Sequence, residues 1–156
     1  MSELFGDGEL AVIERQIDEW LGAFATTNPA IKAVDRGEGD EPRWYVRLRG
    51  EEKEFTTIWL TLGQRTLRYE TYVMPAPVDN LAEVYEVALR ANTRLVGAHV
   101  AIGVEDALFL CGELPLAALG ESELDRIIGS LYAYVERLFP RLIRLGYARH
   151  FVDHDD

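Results

Sequence analysis

Nucleophilic and metal chemistry needs thiols, imidazoles, hydroxyls or carboxylates held close together, and this chain of 156 residues offers few such groupings. Its single cysteine, Cys111, and His99 fall in neighbouring apolar runs, so strand pairing could join thiol and imidazole into a Cys–His couple. Both runs read as buried and hydrogen-bonded, and no basic residue adjoins Cys111 to lower its pKa, so the thiol reads first as a small buried hydrophobe. A lone cysteine forms no internal disulfide and suits a reducing compartment. His150 and His154, four residues apart beside Asp153, Asp155 and Asp156, are the donor types of a divalent-metal site. Ordering a terminal tail for coordination costs chain entropy, however, and residues 150–156 read as a solvated acidic tail without metal. Ser2, Ser122 and Ser130 stand at the terminus, at an expected helix cap and inside a helix, none within a G-x-S-x-G elbow. The glycine pairs of Phe5-Gly6-Asp7-Gly8 and Arg36-Gly37-Glu38-Gly39 lack the spacing of a phosphate cradle. No cofactor and no catalytic residue are expected.

The elements that would hold these groups are marked by their periods. Leu10, Ile13, Ile17, Trp20, Leu21 and Phe24 recur at helical steps opposite Glu14, Arg15, Asp18 and Glu19, and Thr26-Thr27-Asn28-Pro29 reads as the stop. Ile31 to Val34 is a short leading strand. Trp44, Val46 and Leu48 alternate with Arg43, Tyr45, Arg47 and Arg49, the period-two pattern of a strand with one buried face. Phe55 to Leu62 and Leu67 to Val73 follow, joined by Gly63-Gln64-Arg65. A helix of about four turns then starts at Asp79 or Asn80, with Glu83 reaching back to Asn80 and a stripe of Leu81, Val84, Tyr85 and Ala88, and ends at Gly97. Ala98 to Val104 and Ala107 to Leu114 form a tight hairpin in which Asp106 takes the left-handed conformation. The last helix is capped by Ser122 and lined by Leu124, Ile127, Ile128, Leu131, Val135, Leu138 and Leu142. Pro140 predicts a kink or a break near Arg137 to Phe139. Arg137, Arg141 and Arg144 suit the negative end of that helix.

The order α-β-β-β(-β)-α-β-β-α defines an α+β fold, an antiparallel sheet with helices packed on it. One domain over residues 1–156, with its core at about 8–145, is expected from the length and the absence of linkers. Sixteen basic against 27 acidic side chains give a net charge of −11, which repels phosphate backbones and anionic lipid. The acids at the N-terminus do not match a secretory leader, and the apolar segment from Leu95 to Leu119 is broken by His99, Glu105, Asp106 and Glu113. A cytoplasmic protein with no membrane segment is expected.

If Trp44, Val46, Leu48, Ile58, Leu60 and Leu62 face the core, then Tyr45, Arg47, Arg49, Phe55, Trp59 and Tyr72 share the opposite face. Exposed Tyr, Trp and Arg are what protein interfaces collect, so these residues form a candidate partner-binding surface. The same aromatics could instead pack beneath a loop or the end of the last helix, or stack on single-stranded nucleic acid, which the net charge opposes. A small-molecule sensor or enzyme centred on His99 and Cys111 is the alternative of another class.

The stretch from Leu89 to Ile102, LRANTRLVGAHVAI, followed by Glu105 to Leu110, EDALFL, resembles the YbjN-like family, labelled as bacterial sensory transduction regulators. The resemblance spans Leu10 to Leu145 and rests on Asn92 near the helix end, Gly97, the apolar hairpin, and Leu114-Pro115-Leu116 before a long amphipathic helix. Glu105-Asp106 stands where such families often place a glycine. The resemblance implies a fold similar to type III secretion chaperones: helices on one face of a sheet, a homodimer, a bound protein partner, and no known active site. A chaperone-like or regulatory adaptor domain is the expected function.

Overall fold

Helix α1 (Asp7–Thr27) opens the computed structural model, which describes residues 4–155, with side chains from 4 to 151. Expectations that involve Ser2 and the side chains of Asp153, His154, Asp155 and Asp156 lie outside the described residues. Four strands follow, β1 (Ile31–Arg36), β2 (Arg43–Arg49), β3 (Phe55–Leu62) and β4 (Thr66–Met74), then α2 (Leu81–Ala91), β5 (His99–Ile102), β6 (Leu108–Pro115), α3 (Glu121–Gly146) and α4 (Ala148–Asp155). All neighbouring strands pair antiparallel in one sheet of order β1-β2-β3-β4-β6-β5. The architecture is α+β as expected, with β1 extending two residues beyond the anticipated Val34.

Alternation along the strands decides which face is buried. Trp44, Val46 and Leu48 of β2 pair with Leu60, Ile58 and Thr56 of β3, and these continue onto Leu67, Tyr69, Thr71 and Val73 of β4. Against that face lie Ile17, Leu21 and Phe24 of α1, Val84, Ala88 and Ala91 of α2, and Leu124, Ile127, Ile128, Leu131, Val135, Leu138 and Leu142 of α3. The burial of these side chains drives the assembly, at roughly 25 cal/mol per Å² of apolar surface removed from water. α1 is tied to the sheet by Trp44, whose indole N–H donates to Asp18 Oδ1 at 2.7 Å, and by Arg36, which pairs with Glu14 and Asp18 and lies over the Trp44 ring.

Several expectations are corrected. Asn80 is the N-cap of α2 but has left-handed backbone (φ 51°) and makes no capping bond with its side chain; its Nδ2 donates to Leu145 O at 3.0 Å. Val78 and Asp79 also donate their amides to Gly146 O, so this loop satisfies the carbonyl end of α3 instead of the amide end of α2. Gly146 permits the crossing, because a Cβ there would lie 2.8 Å from Met74 Cε and 2.9 Å from Pro77 Cβ. Leu81 is 49% exposed and takes no part in the buried stripe, whose third member is Ala91. Gly120, not Ser122, is the N-cap of α3.

α3 also runs without a break through Pro140. A proline removes only one amide donor, and Val135, Leu138 and Leu142 are buried on both sides of it, so packing carries the helix across the missing bond. The terminal segment expected as a solvated tail is helical over α4. In the β5–β6 connection both Glu105 (φ 58°) and Asp106 (φ 57°) are left-handed, where the sequence pointed to Asp106 alone. Ala107 N–H bonds Val104 O at 3.1 Å to close that turn.

Candidate functional site

The face of the sheet turned away from the helices is built by the alternate residues of every strand. Tyr45 stands opposite Trp59, Arg49 opposite Phe55, Arg47 opposite Thr57, Trp59 opposite Glu70, and Tyr72 opposite Phe109. All six residues anticipated from the sequence, Tyr45, Arg47, Arg49, Phe55, Trp59 and Tyr72, therefore share this face, and each remains partly or fully exposed.

The aromatic rings form a connected ladder. Tyr45 meets Trp59 edge-on at 6.4 Å between centroids, Trp59 meets Phe109 at 6.2 Å, and Phe109 meets Tyr72 edge-on at 5.6 Å. Such geometry adds to simple burial because ring edges are positive and faces negative. Arg47 stacks its guanidinium 3.9 Å above the Phe55 ring, and Arg49 lies 6.0 Å from the same ring. At the far end Lys53, from the β2–β3 loop, donates to Tyr72 O at 2.7 Å and lies near the Tyr72 and Phe139 rings. Burial outweighs the nearby Glu136 carboxylate and lowers its pKa to about 8. Burial also raises the Tyr72 hydroxyl pKa, with smaller contributions from Tyr147 and Glu105.

A concavity of about 1090 Å³ opens on this face beside Arg43, Trp59, Arg68, Glu70, His99 and Cys111. Gly112 shapes its inner wall. A Cβ at that position would lie 2.5 Å from Gly97 O and 2.6 Å from the Tyr69 ring, whose hydroxyl donates to that same carbonyl. His99 and Cys111 are register partners, with Sγ and Nε2 3.5 Å apart, so the Cys–His couple does form. The expectation that both are buried is corrected: His99 is exposed and Cys111 half-buried, because their alternation places them on the open face. Burial, followed by the Glu70 charge, raises the thiol pKa, which leaves a neutral thiol beside the imidazole at pH 7. Among the described residues no group of three or more His, Cys, Asp and Glu is arranged to hold a metal ion. Among them, too, no helix is long and apolar enough to cross a membrane.

Phe109 is the ring that sequence reading missed; it links Trp59 to Tyr72 and is only 6% exposed. The run Ala107-Leu108-Phe109-Leu110 is apolar throughout, so nothing in it marks which residues face outward. Arg43, Arg68 and Glu70 also line the face; their alternation with the buried Trp44, Leu67 and Tyr69 was a usable signal.

A molecule with helices on one face of an antiparallel sheet and an aromatic surface on the other is an α+β protein. The chain belongs to the YbjN family: the family model described as "Putative bacterial sensory transduction regulator" matches residues 15–144. The resemblance carried by the middle helix and the following hairpin is thereby borne out. An uncharacterized protein of Mycobacterium tuberculosis is 32% identical over 112 residues, which cover 72% of this chain and 61% of that one. One from Mycobacterium leprae is 30% identical over 105 residues, covering 67% of this chain and 57% of that one. The chain thus spans about three fifths of the length of these relatives. Among solved structures it is similar to a chain of the heterodimeric complex ExoU–SpcU from the type III secretion system of Pseudomonas aeruginosa. That match has 19% identity, covers 80% of this chain and 95% of that one, and has a TM-score of 0.48.

Proposed function

We propose that this chain is a non-enzymatic, cytoplasmic protein-binding domain, chaperone-like or a regulatory adaptor, that acts as a homodimer and holds a partner protein on the open face of its sheet. The observation that carries this reading is the connected ladder of Tyr45, Trp59, Phe109 and Tyr72, flanked by stacked arginines, on a face from which the packed helices are absent. Aromatic and Arg side chains held in place before binding lose little entropy when a partner docks. The homodimer is supported by exposed apolar side chains at the edge strand β5, with Ile102 inside it and Val96 and Val104 on either side. At that edge Val100 N–H donates to Asn92 Oδ1 at 2.6 Å and Val100 O accepts from Asn92 Nδ2 at 3.3 Å, so a second copy would meet the apolar side chains there rather than a free backbone.

A second reading, a small-molecule sensor or enzyme, is favoured by the concavity beside His99 and Cys111. The raised thiol pKa speaks against a nucleophilic version of it. Single-stranded nucleic acid would use the same rings, but Glu70 and Glu113 lie on the same face of a chain of net charge −11.

A photoreactive phenylalanine replacing Thr61, on the open face, tests the reading in the native cell against the same replacement at the exposed Gly129 of α3. Protein adducts at the first position and not the second are expected, and light scattering is expected to give twice the 17.7 kDa chain mass. Absence of adducts at position 61 would overturn the docking face, and a strict monomer would overturn the homodimer.

A further inference from the structure

The residues of β2 that face outward are Arg43, Tyr45, Arg47 and Arg49, spaced along the strand by about 6.8 Å for every two residues. Arg36, Arg68, Arg90, Arg126 and Arg149 are paired with carboxylates, whereas among the described residues Arg15, Arg94, Arg137, Arg141 and Arg144 make no ion pair but are scattered over the helices and a loop. Among the described residues Arg43, Arg47 and Arg49 make no ion pair, although acids outnumber bases by 27 to 16 in the chain. Three unpaired cations on one strand repel each other, a cost offset within the chain by the stacking of Arg47 on Phe55. One of them is preset: Arg47 stacks on the Phe55 ring, which restricts its guanidinium fork before any ligand arrives, with Arg49 6.0 Å from the same ring. On the same face β4 and β6 present Glu70 and Glu113 together with Arg68, which is paired with Glu41, and β1 places Asp35 opposite Tyr45. The arginines of this face that make no ion pair are therefore gathered along β2, while Glu70 and Glu113 stand on β4 and β6.

We infer that the occupant of this face is an extended acidic segment of a partner protein that runs along β2, with carboxylates at the positions of Arg43, Arg47 and Arg49. Its aromatic or bulky apolar anchor sits at the position of Tyr45, against Trp59. The inference rests on the protein-binding reading above and adds the chemistry and direction of the segment. An extended chain repeats its side chains on one face at the same spacing as β2, so acids at alternate positions meet the guanidinium forks in register. Glu70 and Glu113 repel the same carboxylates, which favours a path along β2 over one across the sheet.

The probe is a fluorescein-labelled peptide, Glu-Ser-Phe-Ser-Glu-Ser-Glu, followed by anisotropy in about 50 mM salt, where charge steering is strong. Saturable binding is expected, weakened roughly tenfold when the three Glu are changed to Gln, since each exposed pair contributes a few-fold. A similar loss is expected from the combined Arg43→Gln, Arg47→Gln and Arg49→Gln variant, whose melting temperature serves as the folding control. Equal binding of the Gln peptide, or equal competition by a seven-nucleotide oligothymidylate, would overturn the inference. If neither peptide binds while Thr61 still gives protein adducts, the acidic-segment inference falls and the protein-binding reading stands. If both fail, the reading falls with it.

Discussion

Burial sets the charge of Lys53, one of only two lysines in the chain, by holding its ammonium against Tyr72 and Phe139. Its folded pKa of about 8 lies below the ordinary 10.5, so between these values the unfolded chain binds the proton that the folded chain has lost. Stability contributed by this group therefore rises with pH across that window, and below pH 8 the full cost of a buried charge is present. Lys53→Gln keeps a donor for Tyr72 O and removes the titration. Subtracting its unfolding free energies from those of the wild type is expected to isolate a difference that rises in favour of the wild type from pH 8 to 10.5. A difference flat in pH would show that Lys53 titrates normally in the fold. At this scale the sequence is least informative, because a lysine in the run Glu51-Glu52-Lys53-Glu54 looks like any solvated charge until the loop is folded onto α3.

That folding is the work of elements. The β2–β3 loop is fastened to α3 by Glu136, whose carboxylate accepts the amides of Glu51 at 3.0 Å and Glu52 at 2.7 Å. Tyr132, one turn earlier, donates to Arg49 O at 3.1 Å. Glu136→Ala removes both amide acceptors from a solvent-facing site and is expected to cost about 1 kcal/mol, a drop in melting temperature of about 2–4 °C. Amide exchange is expected to speed up at Glu51 and Glu52 and to stay unchanged in β6; an unaltered loop would show that its own turn geometry holds it.

The period of each element is legible in the sequence: the alternation of Arg43 to Arg49, the stripe of Leu124 to Leu142, and all six outward residues of the candidate face. What escapes is whatever depends on a neighbour. Ser122 has the chemistry of a cap, yet the chain enters α3 at Gly120; Asn80 is spent on the end of α3; Pro140 is carried through by packing. Phe109 is hidden in an unbroken apolar run whose inward and outward members only β4 and β5 distinguish.

At the scale of the whole molecule, the two faces of the sheet differ. One face is sealed by α1, α2 and α3, and the other carries four linked rings beside the arginine row of β2. Trp59 is the member that touches both Tyr45 and Phe109, so its loss divides the ladder while leaving the core untouched. The most direct test is calorimetric binding of the segment captured through position 61 to wild type and to Trp59→Ala. Truncating a central aromatic in such a surface costs at least about 2 kcal/mol, so affinity is expected to fall roughly thirtyfold or more, with the melting temperature unchanged within a few degrees. Wild-type affinity in the Trp59→Ala variant would contradict the claim that the open face holds the partner.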